Sequence, residues 1–215
     1  MGPPGCGKTT VATLLSRCSD FKLVKISHMI KEEVESGDKW RAKTIMSFTQ
    51  GFRRLCPNEI VLNLLKEVFY TTCNDSVGYI LDGFPIDLDQ AKQFEFEITK
   101  VFMIIYPTLS LNSFVMRYRP QMTEAELEEA KEKHIERSKL CQNVYRHYEQ
   151  KTLKCNSLHP IDSILNELVL DLDRYFGYKF RFISDTTKTS NTRNVHYEMR
   201  CSASSSPLAQ CNIRE

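Results

Sequence analysis

The first residues of the chain combine glycines, a lysine and a threonine at a spacing suited to binding a polyphosphate. Residues 2–10 read GPPGCGKTT. Glycines let several backbone N–H groups face one anion, and a helix beginning there adds the positive end of its dipole. We expect Lys8 to reach the outer phosphates of a nucleoside triphosphate and Thr9 to offer a hydroxyl to Mg²⁺ or to a phosphate oxygen. The candidate nucleotide-binding residues of this loop are Gly2, Gly5, Cys6, Gly7, Lys8, Thr9 and Thr10.

The alternative interpretation of this stretch is a glycine-rich turn that caps an ordinary helix. Downstream, Val11, Leu14 and Leu15 recur at helical spacing, which predicts a helix from Lys8. Upstream, only Met1 precedes the loop, so the buried strand that usually leads into such a loop has no residues to form it. The sequence therefore predicts either a truncated product or a sheet without its central strand.

An acidic residue follows the second apolar segment. Residues 78–85 read GYILDGFP, which predicts a buried strand that ends on Asp82 and a turn. A carboxylate at the carboxyl end of a strand, beside a phosphate loop, is well placed to hold Mg²⁺ through water. Asp82 and Thr9 are therefore the candidate metal-binding residues.

Alternating apolar patterns predict an α/β fold. Strands are expected at 21–26, 78–82, 101–106 and 152–156. Helices are expected at 8–18, 27–34 with Ser27 as the cap, 40–48, 57–73, 88–96, 110–118, 123–150 and 160–175. The run at 101–106 has no alternation, which is typical of a strand covered on both faces. Strands that alternate with helices predict a parallel sheet flanked by helices in three layers, with its first strand truncated.

Composition limits the remaining possibilities. The 215 residues suit one domain, at 1–183, and the Ser-, Thr- and Asn-rich stretch 184–215 is predicted to be a disordered tail. A net charge of +2 argues against a general nucleic-acid binder, and no apolar run is long enough to span a membrane. Eight irregularly spaced cysteines indicate reduced thiols, with neither a zinc site nor a disulfide framework. We expect a cytoplasmic monomer.

Two motifs together resemble the adenylate kinase family of nucleoside monophosphate kinases. They are the loop at 2–9 and YILDGFP at 79–85, and Pro57, Glu59 and the stretch 90–95 support the resemblance, which covers about 2–176. The resemblance implies a three-layer domain of the P-loop NTPase type that transfers the γ-phosphoryl group of ATP to AMP with Mg²⁺. It also implies a small lobe for the monophosphate, at about 27–56, and a very short lid over ATP, at about 119–123.

The resemblance also implies roles for individual residues. Lys8 matches the lysine that follows the migrating phosphoryl group, and Asp82 the acid that holds the waters of the magnesium ion. Gln90 matches the glutamine that reads the adenine of AMP, and Arg119 the arginine that lies against the adenine of ATP. The implied substrate-binding residues are Lys31, Gly83, Phe84 and Gln90. A solvated helix position is the alternative for Gln90, and a helix-end cation for Arg119.

Several arginines of the family pattern are replaced. Ile86 stands where the family has the arginine that grips the AMP phosphate, and Lys31 replaces the small-lobe arginine. Phosphoryl transfer depends on cations around the charged oxygens, so these replacements bear directly on turnover. Lys133 and Arg137, one helical turn apart, are the candidate catalytic cations of the next helix. The alternative is that they pair with Glu129 or Glu136 on a solvated face.

Three hypotheses follow for the function. The first is an active kinase acting on AMP or another nucleoside monophosphate. The second is a catalytically degenerate nucleotide-binding protein with a regulatory or scaffold role. The third is a shortened product that folds poorly. Catalysis by histidine has little support, because the five histidines are scattered without a serine or cysteine arrangement.

Overall fold

A computed structural model of the chain describes residues 1–51, 55–176, 182–184 and 197–199. Its helices are α1 (Lys8–Arg17), α2 (Ile26–Ser36), α3 (Lys39–Met46), α4 (Asn58–Thr72), α5 (Leu88–Glu97), α6 (Leu111–Tyr118), α7 (Glu124–His147) and α8 (Ile161–Phe176). Its strands are β1 (Phe21–Lys25), β2 (Gly78–Asp82), β3 (Ile104–Thr108), β4 (Thr152–Asn156), β5 (Phe182–Ser184) and β6 (Tyr197–Met199). A π-helical turn, Ser47–Gly51, follows α3 directly.

The strands pair in three two-stranded sheets within the described ranges. β1 and β2 are parallel, with Leu23 opposite Ile80, and β3 and β4 are parallel, with Tyr106 opposite Lys154. β5 and β6 form a short antiparallel pair. The parallel strands with intervening helices confirm the predicted α/β class.

The two parallel sheets lie side by side in one layer. Ile80 of β2 and Ile105 of β3 pack against the same apolar cluster, which α1 and α8 supply through residues such as Leu15 and Leu168. No ladder of hydrogen bonds joins β2 to β3 in the described part of the chain. The amino group of Met1 donates a hydrogen bond of 2.9 Å to the carbonyl oxygen of Ile105, so the chain enters alongside β3. The phosphate loop, which follows Met1, therefore begins in the middle of this layer.

Other helices cover the opposite face of the layer. α4 contributes Val61 and Leu65, both fully buried, to the cluster over β1 and β2. α5 and α7 contribute Ala91 and Val144, also fully buried, to the cluster over β3. These two clusters and the α1–α8 side give the three layers.

The burial of β2 corrects one prediction. The strand was expected to be buried, but Tyr79, Ile80 and Leu81 are only half-buried, and Asp82 at its end is the buried residue. The physical reason is that the helices cover the two faces of β2 incompletely: Tyr79 and Leu81 pack on one apolar cluster and Ile80 on the other, and none of the three is fully enclosed. β3 meets its expectation of being covered on both faces, because Ile104 and Ile105 pack into clusters on opposite sides.

Some boundaries also differ from the predictions. β3 begins at Ile104, three residues later than expected, because its register is set by pairing with β4. α2 begins at Ile26, so Ser27 lies inside the helix and does not cap it. α7 begins with a capping box: Thr123 N donates to the Glu126 carboxylate at 2.9 Å, and Glu126 N donates to the Thr123 hydroxyl at 3.4 Å.

Most of the segment predicted to be a disordered tail, 184–215, lies outside the described residues. Within it, the structure describes β6. The disorder and the domain boundary at 183 stay predictions. None of the helices in the described ranges combines the length and the apolar character needed to cross a membrane.

Candidate functional site

The loop at 2–10 folds into a turn that opens α1. Gly7 is the N-cap of α1 with φ 79°, a left-handed conformation that favours glycine, and a Cβ there would meet no atom within 4 Å. Gly5 has φ 74°, and a Cβ on it would lie 2.6 Å from the ring of Tyr118. A glycine is therefore needed at position 5 because α6 approaches the loop closely there. At position 7 it is needed for the left-handed turn, and the space beside it is open.

Lys8 curls back over this loop. Its Nζ donates to the carbonyl oxygen of Pro3 at 2.7 Å and lies 3.9 Å from Sγ of Cys6. Cys6 is buried, and burial raises the pKa of its thiol, which favours the neutral thiol beside the ammonium group. The ammonium group is thus held at the loop, while Thr9 and Thr10 are exposed beside it.

Thr9 and Asp82 meet although they are 73 positions apart. The Thr9 hydroxyl donates to Oδ2 of Asp82 at 2.7 Å. Asp82 is 8% exposed at the end of β2, and Gly83 turns the chain directly after it with φ 84°. A hydroxyl beside a carboxylate is an oxygen donor set that fits Mg²⁺, which prefers such ligands together with phosphate oxygens and water. Among the described residues, no cluster of three or more His, Cys, Asp or Glu side chains is arranged to hold a metal ion by itself.

Arg117 joins this site, and the sequence analysis did not identify it. Its Nη1 donates to the carbonyl oxygen of Gly5 at 2.9 Å, and its Nη2 to the carbonyl oxygen of Ser157 at 3.1 Å. The Ser157 hydroxyl in turn donates to the carbonyl oxygen of Cys6 at 2.8 Å. One guanidinium and one hydroxyl therefore fasten the loop to the segment that follows β4.

Arg119, the arginine that the resemblance selected, is exposed at the C-cap of α6. The signal that favours Arg117 is its position three residues after Phe114, the buried residue of α6, because residues three apart share a helix face. Arg117 therefore lies on the side of α6 that faces the loop.

Two cations of the small lobe have carboxylate partners. Lys31 lies 3.6 Å from Glu35, and both side chains are mostly exposed. Arg41 of α3 contacts Glu33 at 2.9 Å and Glu67 at 2.7 Å, so this arginine fastens α3 to α2 and α4. Lys31 and Arg41 are therefore both engaged by carboxylates of the lobe or of α4.

Gln90 is fully buried, with 0% of its surface exposed. Its Oε1 accepts from the backbone N–H of Ile86 at 2.8 Å, and its Nε2 donates to Oδ1 of Asn58 at 3.0 Å. Phe84, another implied substrate residue, is buried in the cluster with Phe94, whereas Gly83 is exposed. The structure therefore brings these residues together beside Asp82, with the Gln90 amide enclosed.

The lid region is a single turn, Arg119–Gln121, before α7. On α7, Nζ of Lys133 lies 2.7 Å from Oε1 of Glu129. Arg137 is half-buried. A groove of about 570 Å³ separates α7 from the π-helical turn, and it is lined by Thr49, Glu129, Glu132, Lys133 and Glu136. Three carboxylates and one paired ammonium make this groove acidic, although anionic phosphates favour cationic surroundings.

A second groove, of about 620 Å³, lies at the carboxyl ends of β3 and β4. Thr108, His134 and Asn156 contribute to its wall. His134 is 2% exposed, and its ring packs at a tilt against Phe114 with 4.7 Å between centroids. Burial lowers the pKa of the imidazole, which favours a neutral ring packed in the core.

Sequence comparisons show which known proteins this chain resembles. The family model described as adenylate kinase matches residues 1–197. Adenylate kinase 1 of Drosophila melanogaster is 29% identical over 181 residues, which cover 80% of this chain and 78% of that protein. Adenylate kinase isoenzyme 1 of Homo sapiens is 25% identical over 180 residues, covering 80% of this chain and 92% of that protein. The adenylate kinase of Rickettsia bellii is 33% identical over 118 residues, or 54% of each chain.

Proposed function

This chain belongs to the adenylate kinase family, and from that premise we propose that it transfers the γ-phosphoryl group of ATP to AMP with Mg²⁺. Family membership supports nucleoside monophosphate kinase activity in general. The choice of ATP, AMP and Mg²⁺, together with the roles of single residues, is the proposal.

The observation that carries the proposal is the hydrogen bond of 2.7 Å between Thr9 and Asp82. It brings the hydroxyl at the start of α1 to the carboxylate at the end of β2. A triphosphate in the loop would then have its outer oxygens beside both groups. Mg²⁺ held by Thr9, and through water by Asp82, would neutralise charge on those oxygens.

The loop itself supplies the other positive groups. Backbone N–H groups at residues 5–8 and the amino end of α1 would surround the inner phosphates. Lys8 is bound to the Pro3 carbonyl oxygen, and it would exchange that neutral partner for a phosphate oxygen, whose negative charge makes the bond stronger. Arg117 would keep the loop in the shape that directs its N–H groups inward, through its bonds to the carbonyl oxygens of Gly5 and Ser157.

A second candidate function is favoured by the acidic groove. A nucleotide-binding protein with little turnover, in a regulatory or scaffold role, would have no need for cations around a migrating phosphoryl group. Glu129 holds Lys133 at 2.7 Å, and Glu132 and Glu136 lie beside them in the groove. Losing one well-placed donor to developing charge typically costs about 10²–10³ in rate. The two candidates therefore differ in turnover and agree in nucleotide binding.

A coupled assay for ADP decides between them. The full chain is supplied with ATP, Mg²⁺ and AMP, CMP or UMP, beside a Lys8→Ala control. ADP formation with AMP that disappears in the control supports the kinase. Binding of Mg·ATP in calorimetry without ADP formation supports the second candidate. If neither binding nor turnover is found, both are wrong.

Further properties are proposed with the function. We expect a cytoplasmic monomer that binds neither nucleic acid nor membranes. We also expect a cooperative thermal transition that Mg·ATP shifts upward, because a ligand that binds only the folded state stabilises it. A non-cooperative melt by circular dichroism would instead favour the hypothesis of a poorly folding product.

A further inference from the structure

The β3–β4 groove, of about 620 Å³ at the carboxyl ends of those two strands, lies on a different face of α7 from the acidic groove. Residues 134, 135, 138, 139 and 142 of α7 line the β3–β4 groove, whereas residues 129, 132, 133 and 136 line the acidic groove. With 3.6 residues per turn, the two sets are centred about 140° apart around the helix axis. The β3–β4 groove is therefore separate from the face of α7 that carries Lys133, the candidate catalytic cation.

The charge of this lining is positive. Among the described residues, the lining contains one cation, Lys139, and no aspartate or glutamate. The ion pairs that the structure shows along α7 join Lys131 to Glu128 and Lys133 to Glu129, and Lys139 has no such partner in the described part of the chain. The other polar side chains of the lining are neutral, namely Thr108, Ser110, Ser138, Gln142 and Asn156. A ligand with a single negative charge would therefore find a partner here, whereas a cation would not.

The amino end of α6 opens onto the same groove. Ser110 and Leu111 both line the groove, and α6 begins at Leu111. Ser110 caps this helix, because its Oγ accepts from the backbone N–H of Ser113 at 3.1 Å. The positive end of the helix dipole thus adds to the charge of Lys139, which favours an anion.

His134 provides an independent sign of a missing ligand. It lines the groove and is 2% exposed, and its Nε2 has no hydrogen-bond partner among the described residues. Burial lowers the pKa of this imidazole by more than the nearby carbonyl group of Leu109 raises it, so the ring is neutral. Nδ1 lies 3.5 Å from the Ser138 hydroxyl. When that hydroxyl donates to Nδ1, the ring proton is on Nε2, which is then a buried donor without an acceptor.

The ring can turn toward the groove at little cost. Nε2 is covered by its neighbours, so a ligand oxygen reaches it only if the imidazole tilts. The contact of 3.5 Å with Ser138 is at the limit of hydrogen-bond length, so the tilt would break no strong bond. An unpaired buried donor is unfavourable, and an acceptor that enters the groove would relieve it.

We infer that the β3–β4 groove binds a small organic carboxylate with an aliphatic chain. Lys139 would neutralise the carboxylate, and Nε2 of His134 would donate to it. The chain would lie along Ile135 and Leu158, which are 41% and 57% exposed and line the groove. The volume is within the range of small-molecule sites. A phosphate dianion would find only one lysine and would leave the apolar wall uncovered, so we expect the organic acid to be preferred.

The test uses hexanoate, 1-hexanol and inorganic phosphate as probes. NMR titration of the full chain locates the site through the backbone amide signals and measures the dissociation constants. We expect hexanoate to shift the signals of Thr108, Ser138 and Asn156 and to bind about tenfold more tightly than 1-hexanol, the effect of a hydrogen bond to a charged group. Inorganic phosphate should leave these signals unchanged. Equal affinities for hexanoate and 1-hexanol, or phosphate binding as tight as that of hexanoate, would overturn the inference.

Substitutions then assign the two donors. Lys139→Gln should weaken hexanoate about tenfold and leave 1-hexanol unchanged, and His134→Phe should weaken hexanoate to a similar degree. Lys92→Gln is the matched control, because Lys92 is an exposed residue of α5 and the variant removes the same charge. Equal losses in Lys139→Gln and Lys92→Gln would reflect net charge and would overturn the inference. If His134→Phe fails to fold in a thermal melt, Lys139→Gln still decides, since its side chain is exposed.

Discussion

The guanidinium of Arg117 donates to the carbonyl oxygen of Gly5 at 2.9 Å and joins α6 to the phosphate loop across 112 positions of sequence. A second bond, of 3.1 Å, continues from the same guanidinium to Ser157. A planar fork can make both bonds at once, and a lysine ammonium on a flexible stem cannot hold the same geometry. The loop conformation therefore depends on an arginine at this position.

The first prediction is that Arg117→Lys weakens Mg·ATP binding about tenfold, the effect of losing one charge-assisted hydrogen bond. Calorimetric titration measures the dissociation constant. Arg174→Lys is the control, because Arg174 is an exposed residue of α8. Unchanged affinity in Arg117→Lys would contradict the role of the fork.

Lys8→Ala is expected to lower phosphoryl transfer by at least about 10²-fold, because transition-state charge on the outer phosphates loses its cation. The variant should still fold, since Lys8 is half-buried and bonded chiefly to its own loop. The coupled ADP assay and a thermal melt measure the two effects. Lys22→Ala, at an exposed position of β1, is the control. Turnover that persists in Lys8→Ala would place the reaction elsewhere.

Ile86→Arg is expected to raise the transfer rate to AMP by about 10²-fold, because a donor to developing charge typically contributes that much. Ile86 is half-buried next to the Asp82 turn, and the hydrogen bond of its backbone N–H to Gln90 does not involve its side chain. Leu170→Arg, on the exposed side of α8, controls for the added charge. If the rate stays level, a phosphate does not bind at this position.

The acidic groove leads to a prediction on salt dependence. The double variant Glu132→Gln/Glu136→Gln should lower the KM for ATP about threefold at low ionic strength, because two carboxylates no longer repel the triphosphate. The difference should fade at about 0.5 M salt, where charges are screened over a few ångströms. Glu124→Gln/Glu128→Gln, at exposed positions of the same helix, is the matched control. An equal change in both double variants would reflect net charge rather than the groove.

Buried thiols predict a loss of stability at alkaline pH. Burial raises the pKa of Cys56 and of Cys155 from 9.0 to about 11. Above pH 9 the thiols of the unfolded chain ionise, whereas those of the folded protein stay protonated. Ionisation favours the unfolded state, so the stability of the fold is unaffected by these thiols below pH 9 and falls as the pH rises toward about 11. We expect the free energy of unfolding to fall by about 1.4 kcal/mol per pH unit for each thiol in that window.

Urea titrations from pH 7 to 11 measure this loss. The variant Cys56→Ala/Cys155→Ala should show a flatter decline over the same window, whatever its stability at pH 7. A slope equal to that of the unaltered protein would assign the alkaline loss to other groups. Tyr106, whose pKa burial raises to about 12, would be the next residue to substitute.

Local patterns were sufficient for much of the fold. The turn at Gly7, the capping box at Thr123 and the apolar run before Thr108 depend on residues close in sequence, so helices and strands could be assigned from them. The start of β3 was wrong by three residues, because pairing with β4, about 50 positions away, decides where a strand begins. The prediction that β2 is buried was wrong because burial depends on how completely distant helices cover the faces of the strand.

The sequence by itself determined the α/β class, the phosphate-loop motif and the family, because these depend on residue type and on spacing along the chain. Only the tertiary structure decided that Thr9 meets Asp82, that Arg117 rather than Arg119 contacts the loop, and that Asn58 covers Gln90. Such contacts join residues 32 to 112 positions apart, and their partners are chosen by how helices pack on the sheet. No short stretch of sequence encodes which way a side chain points once the helices have packed. The sequence could therefore name candidate residues of the site but not the contacts between them.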